Sequence, residues 1–196
     1  MHDPAENPVI AQSPGIAFHQ NNRYGALIGS TPYPEESLLR AWSRRDQQTD
    51  LIKIVNSGLN SMTQFGVETD PQFSEDELRE LVLAAKRNSR SIMVHANGKL
   101  PVRQAVAAGC DSIEHGFFMG RENLDLMADT GTFWVPTVYT MKAYAENAES
   151  YRSVMDRQVV QKNLESQLQQ LAYARDKGVR VALGTDSGSI GVLHGE

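Results

Sequence analysis

The sequence predicts an α/β fold built on a parallel sheet, and three observations carry that prediction. Short apolar runs rich in β-branched residues alternate with amphipathic stretches of helical length. The stretches between runs are long enough for the crossovers that parallel strands require. The polar residues with the most chemical potential stand at the C-terminal ends of the apolar runs, the edge where parallel α/β sheets collect ligands. A doubly wound sheet and a (β/α)8 barrel share this pattern. The runs amount to about six strands, where a closed barrel has eight and typically ~250 residues. No glycine-rich phosphate loop follows any run, which weakens a nucleotide-binding doubly wound sheet.

The elements follow in order. Val9-Ile10-Ala11 reads as a weak strand before Pro14-Gly15, and residues 19–34, rich in Asn, Gly, Ser, Thr and Pro, as an irregular loop. Pro34-Glu35-Glu36-Ser37 opens a helix to about Gln47, with acids in its first turn. Asp50 to Gly58 holds a short apolar run, Leu51-Ile52-Lys53-Ile54-Val55, whose length and turn signal suit a strand buried on both faces. Ser74 with Glu77 three positions on forms a capping box, and Leu78, Leu81, Val82 and Ala85 mark one face of the helix it starts, which runs through about Asn88. Strands are expected at 91–98, ending in a polar turn, and at 111–116, and helices at 101–108, stopped by Gly109, and at 122–129, stopped near Gly131. Residues 133–139 read as a strand, although Pro136 argues against a fully paired central position. Residues 141–177 read as two helices, and Val179 to Gly188 as the last strand.

Composition bounds the function. The chain has 196 residues, 40% hydrophobic and 22% charged, with a net charge of −5. One domain over residues 1–196 is the expectation. The negative charge and the lack of a basic block point away from nucleic acid. No apolar run approaches membrane-spanning length and residues 1–8 show no signal-peptide pattern, so a cytoplasmic location and no membrane partner are expected. The single cysteine, Cys110, permits no intrachain disulfide and reads as a buried structural thiol.

Lys53 is the residue that asks for an explanation. An ammonium inside a buried strand must be paired, neutralised or chemically altered. An ion pair, a lowered pKa, a Schiff base and a carbamate are all open from this stretch alone, and a paired or snorkelling lysine is the plainest. His95, His115 and Asp186 then take the same place at the ends of later strands. Singly, each histidine suits a hydrogen-bonded structural role and Asp186 a cap on the Ser187-Gly188 turn. Together, imidazoles and carboxylate suit zinc or a similar divalent ion, and a carbamate would too.

The order Lys…His…His…Asp, in the wording Ile-Lys-Ile, Val-His-Ala, Ile-Glu-His-Gly and Gly-Thr-Asp-Ser-Gly, resembles the amidohydrolase superfamily. It is most similar to the imidazolonepropionase-related branch, which includes metal-dependent peptidases that remove a C-terminal residue from dipeptides (Xaa-dipeptidases, prolidase-like). The resemblance covers about residue 7 to residue 196. It implies a (β/α)8 TIM barrel of metal-dependent hydrolase type, of which this chain holds about strands 3 to 8. It also implies two divalent ions, with zinc the expected metal. Lys53 would be the carbamylated bridging ligand, His95 and His115 would bind the more exposed ion, and Asp186 would bind the other and shuttle the proton. The implied activity is hydrolysis of a non-aromatic amide C–N bond in a dipeptide or cyclic amide. Glu114 would face away from His115 on a regular pleat, either steadying neighbours or, more simply, pairing with an arginine. Thr137, Tyr139 and His194 are substrate-side candidates, with packing or solvation as the plain alternatives.

The pattern also breaks. The superfamily opens with H-x-H at its first strand, and neither His2-Asp3-Pro4 nor His19-Gln20-Asn21 matches. The expectation is therefore an internal piece, incomplete at both ends, of an enzyme roughly twice as long, with exposed sheet edges that favour aggregation or a homo-oligomer. Two alternatives stand beside catalysis: a non-catalytic fragment of such an enzyme, and a lyase using Lys53 as a Schiff base. The second gives His95, His115 and Asp186 no shared role.

Overall fold

The computed structural model describes residues 10–45, 49–189 and 191–194. Val9, His2 and Gln47, named above, lie outside them. Seven parallel strands form one sheet in the order β2-β1-β3-β4-β5-β6-β7. The elements are β1 (Ala17–Phe18), β2 (Gly29–Ser30), α1 (Leu38–Arg44), β3 (Leu51–Val55), α2 (Glu75–Arg87), β4 (Ser91–Ala96), α3 (Lys99–Ala108), β5 (Ser112–His115), α4 (Arg121–Thr130), β6 (Phe133–Val135), α5 (Val138–Asn147), α6 (Arg157–Lys177) and β7 (Arg180–Val181).

Several expectations need correction. Ile10 and Ala11 form no strand; the first strands are β1 and β2, so the sheet has seven strands rather than about six, and β2 lies in the stretch read as loop. Helix α1 starts after Ser37, whose hydroxyl accepts the Arg40 N–H. Glu36 therefore precedes the helix, accepts the Tyr33 N–H and pairs with Arg44. The Arg44 guanidinium and that N–H hold the Glu36 carboxyl down to about 2. Strand β6 ends before Pro136, because a proline has no N–H for the ladder. Strand β7 pairs over two residues only.

The middle of the chain obeys its local signals. The Ser74–Glu77 capping box is formed in both directions, satisfying two N–H groups the helix would leave unpaired. Gly109 ends α3 in the left-handed conformation, φ +89.

Helices pack against one face of the sheet. Ile52 and Ile54 of β3, Ile92 and Val94 of β4, Ile113 of β5 and Trp134 of β6 join Leu78, Leu81, Val102 and Leu124 in the main core. The strand runs are thus apolar toward the helices, while residues of opposite parity (Lys53, Met93, His95, Ser112, Glu114) occupy the inner face. Lys53 is accordingly half-buried rather than sealed on both sides. Exposed apolar residues mark both ends of the sheet, with Leu27 and Ile28 by β2 and Val181 and Leu183 at β7. Among the described residues no helix is long and apolar enough to cross a membrane.

Cys110 is buried, and burial pushes its thiol up to about 12. Only the thiolate attacks an aromatic disulfide. The native chain is therefore expected to resist 5,5′-dithiobis(2-nitrobenzoate) at pH 8 and to react with one equivalent in denaturant. Rapid labelling of the folded chain would overturn the assignment.

Candidate active site at the C-terminal edge of the sheet

The four residues singled out from the sequence meet in one cavity of about 680 Å³, lined among others by Lys53, His95, His115, Asp186, Tyr24 and Thr137. His95 and His115 come from the C-terminal ends of β4 and β5 and Asp186 from the loop after β7, on the one edge where the parallel topology gathers those ends, whereas Lys53, expected at a strand end, stands in the middle of β3 and reaches the cavity from the inner face.

Register explains two positions and one anomaly. Val55, His95 and Glu114 lie side by side across β3, β4 and β5, so His95 and Glu114 share the inner face. His115 is level with Ala96, a residue buried against the helices. A regular pleat would send His115 to that side. Instead it has φ +66, a left-handed backbone that bulky residues rarely adopt. The pleat is broken there, and the imidazole turns inward to meet His95 with ring centroids 4.7 Å apart. The Trp134 indole N–H donates to the His115 carbonyl at 3.0 Å, and the next residue, Gly116, also has positive φ. A Cβ at Gly116 would lie 2.7 Å from the indole nitrogen, so only glycine fits. Thr137 (φ +50) and Asp186 (φ +54) share this backbone type. Such strain gathers at functional sites and persists only where surrounding structure imposes it.

Hydrogen bonds fix the imidazoles. His95 Nε2–H donates to the Gly58 carbonyl (3.0 Å), and His115 Nδ1 shares a hydrogen bond of 2.8 Å with the Thr137 hydroxyl. The loops that carry them are braced by polar residues. Ser57 Oγ accepts the Asn97 N–H at 2.9 Å, Asn97 Oδ1 accepts the Phe117 N–H at 3.0 Å, and Asn56 Oδ1 accepts the Phe73 N–H at 2.9 Å. The Thr140 hydroxyl donates to the Thr185 carbonyl (2.8 Å), and Ser189 donates to Asp186 Oδ2 (3.2 Å).

The electrostatics favour neutral nitrogen. Burial pushes His95 down to about 4 and His115 well below the usual imidazole value. Burial also lowers the Lys53 amine, against the pull of Glu114 and Asp186. Glu114 is 6% exposed, and its carboxyl is raised by burial, against Lys53 and the Ser112 hydroxyl that donates to it at 2.6 Å. The expected arginine partner of Glu114 is replaced by Ser112 and the field of Lys53. Loss of water raises the Asp186 carboxyl, against the Ser189 hydroxyl that donates to it and the field of Lys53.

Both histidines are neutral in the fold, whereas the unfolded chain binds their protons from about pH 6.5 downward. Stability of the metal-free chain is therefore full above that pH and falls as pH drops toward 4. His95 alone, shifted from 6.5 to about 4, accounts for about 3 kcal/mol at 1.36 kcal/mol per pH unit. Urea unfolding at pH 7, 6 and 5 checks this; a flat profile would overturn it.

The other candidates separate. Thr137 lines the cavity, but from the turn after β6 rather than from a strand. Tyr139 lies in α5, with the Lys142 ammonium 5.8 Å from its ring centroid, and does not line the cavity. His194 is exposed, in the loop near Gly188. Sequence reasoning missed Tyr24, whose ring lies 5.1 Å from His95, and Tyr144; burial raises both phenols. Both come from segments whose place depends on tertiary packing, and nothing in their local sequence marks them.

Among the described residues no three His, Cys, Asp or Glu side chains converge to hold an ion unaided. The chemistry of the set still fits a divalent metal: two neutral imidazoles, a carboxylate and an amine biased toward its neutral form, facing one cavity.

The profile of the amidohydrolase family matches residues 8–195. The chain belongs to the amidohydrolase family. This amidohydrolase is 32% identical over 138 residues to the ochratoxinase of Aspergillus niger, a match covering 70% of this chain and 28% of that protein. It resembles a solved Xaa-Pro dipeptidase with methionine bound in its active site, with a TM-score of 0.59, 33% identity and coverage of 72% of this chain and 35% of the other. A prolidase complexed with N-methylphosphonate-L-proline superposes with a TM-score of 0.68 at 26% identity, over 88% of this chain and 47% of the other. The amidohydrolase chain thus spans less than half the length of these relatives.

Proposed function

We propose that the protein is a metal-dependent hydrolase that cleaves a non-aromatic amide C–N bond in a dipeptide-like or cyclic amide substrate. The observation that carries this reading is the meeting of Lys53, His95, His115 and Asp186 in one cavity at the C-terminal edge of an amidohydrolase-family sheet. The relatives' names, a Xaa-Pro dipeptidase, a prolidase and an ochratoxinase, support it.

A divalent metal, zinc in our reading and two ions in the intact enzyme, supplies an acidic bound water and polarises the substrate carbonyl. His95 and His115 hold it through neutral imidazole nitrogen. Lys53 holds it as a carbamate, formed when the neutral amine adds carbon dioxide and releases a proton. Asp186 takes the proton of the attacking water and passes it to the departing amine nitrogen. The cavity walls Leu59, Met62, Phe117, Met141 and Met155 receive an apolar side chain. The exposed apolar residues at both sheet ends support association into an oligomer.

Asp186→Asn in the zinc-loaded full chain is expected to lower kcat by about 100-fold or more on a dipeptide panel, with metal content measured beside it because the carboxylate is also one of the proposed donors. Full activity in that variant, or no cleavage of any panel member by the parent, would overturn the proposal. A second reading, a chain that needs further donors before it binds metal, is favoured by the lack of a three-ligand cluster among the described residues.

A further inference from the structure

Helix α6 buries amides where helices α2 and α3 bury hydrocarbon. Those two helices turn Leu78, Leu81, Val82 and Ala85, and Val102, Ala105 and Val106, toward the core. The buried face of α6 instead carries Asn163 and Gln167, both 0% exposed, with the half-buried Gln170 about one turn further along. Steps of four and then three residues put all three on one stripe. Each donates a side-chain N–H to a main-chain carbonyl at the C-terminal edge of the sheet: Asn163 to Ser61 at 2.9 Å, Gln167 to Pro136, and Gln170 to Gly116 at 3.1 Å. The oxygens of Asn163 and Gln167 find no partner among the described residues. One hydrogen bond beside one buried, unpaired oxygen adds little to stability. What these amides do is fix where three carbonyls point.

Two of the three carbonyls adjoin one site residue and its support. Gly116 follows His115, and Pro136 precedes Thr137, whose hydroxyl shares the 2.8 Å hydrogen bond with His115 Nδ1. His115 and Thr137 both hold left-handed backbones, φ +66 and +50, and Thr137 is β-branched, for which that region is strongly disfavoured. A planar peptide held at its oxygen restrains ψ of the residue before it and φ of the residue after it. The Gln167 bond therefore bears directly on φ of Thr137, and the Gln170 bond on the turn by which the chain leaves His115. Such conformations persist only where surrounding contacts impose them. The Ser61 carbonyl, held by Asn163, adjoins neither residue.

We propose that Gln167 and Gln170 are positioning residues: from α6 they hold the Pro136 and Gly116 carbonyls so that Thr137 pins His115 Nδ1 and the imidazole presents Nε2 to the cavity. This rests on the reading of His115 as a metal donor and extends the site to a helix outside it, since neither glutamine is among the residues lining the cavity. With Nδ1–H donating to the Thr137 oxygen, Nε2 carries the lone pair that a divalent ion takes. Without the Gln167 bond, Thr137 is free to relax toward an ordinary backbone. The imidazole then loses the partner that sets its tautomer.

The test reads the imidazole first without metal. Side-chain nitrogen NMR of the metal-free full chain, with the His115 signals assigned by their loss in His115→Gln, is expected to show one tautomer, protonated at Nδ1. Gln167→Met and Gln170→Met keep a side chain of similar length and good helix propensity and remove the amide. Both are expected to fold with nearly the parent's urea midpoint and to show a mixture of His115 tautomers. Both are expected to bind zinc about tenfold more weakly, the lower end of what loss of a residue behind a ligand costs. Asn163→Met breaks the same kind of bond on the same stripe and is expected to leave the tautomer and the zinc affinity unchanged. Gln170 is only half-buried, so its variant carries the test should Gln167→Met fail to fold. A tautomer mixture in the parent, an unmoved His115 in the folded glutamine variants, or an equal shift in Asn163→Met, the mark of a general loosening, would overturn the proposal. The expected NMR pattern in chains that take up no zinc would leave the glutamines' role standing and sink the metal-donor reading of His115. Zinc uptake and dipeptide cleavage with His115 unmoved in the variants would do the reverse.

Discussion

Lys53→Met is expected to remove bound zinc and hydrolysis together while the sheet stays folded. The methionine keeps the length of the side chain and its contacts along the inner face of β3, and removes only the amine. That amine is a poor structural ion pair as it stands. Burial pulls it toward the neutral form, while burial also pushes its neighbour Glu114 toward the protonated form. A pair in which both partners are driven away from charge contributes little to stability. After the substitution Glu114 loses the cation that opposes its upward shift, while the Ser112 hydroxyl still donates to it. Changing a residue that merely orients a ligand lowers metal affinity by about 10–100-fold, so removing a ligand outright should exceed the upper figure. Metal content by mass spectrometry after zinc and bicarbonate loading, with a thermal melt beside it, reads both parts. Unchanged metal in a folded variant would end the ligand assignment. Borohydride trapping of a carbonyl compound on Lys53 in the parent would assign the amine to Schiff-base chemistry instead.

What was legible in the sequence had local causes. The Lys53 strand, the Ser74–Glu77 box and the Gly109 stop depend on neighbours within a few residues, and each is found where the pattern places it. His95, His115 and Asp186 were legible because parallel topology sends every strand's C-terminal end to one edge, and Lys53 because a lysine within an apolar strand calls for a cause, although it stands in the middle of β3. The direction of His115 was not, because alternation assumes a regular pleat and its left-handed backbone breaks it. Thr137 and Tyr139 were misplaced for a related reason. Pro136 ends β6, Thr137 turns the chain, and Tyr139 is carried into α5. Asn60, Tyr24 and Tyr144 reach the cavity from loops and a helix, and their place is set by packing between distant segments. Strand β7 ends after two residues, although the apolar run continues to Leu183 and leaves it 96% exposed; a run can specify a strand only where a neighbour offers a ladder.

Trp134→Ala is expected to be the most damaging single change in the core, and its comparison with Trp134→Phe separates packing from site geometry. Trp134 is fully buried in the main core and stands level with Ile113 and Val181. Truncation to alanine should cost about 3–5 kcal/mol, a large part of the ~5–15 kcal/mol that holds a domain together. The urea midpoint should fall accordingly, and a change below about 1 kcal/mol would overturn this view of the core. Phenylalanine keeps most of the ring but removes the N–H that binds the His115 carbonyl. That residue's left-handed backbone carries strain of about 1–3 kcal/mol, and the indole bond is one of the contacts that impose it. Freed of it, His115 can relax toward the regular pleat, which directs its imidazole to the helix side with Ala96. Trp134→Phe is therefore expected to stay folded and to lose zinc affinity, although the indole is not among the residues lining the cavity. If Trp134→Phe keeps full zinc affinity, the turn at Gly116 holds His115 inward without the indole's help.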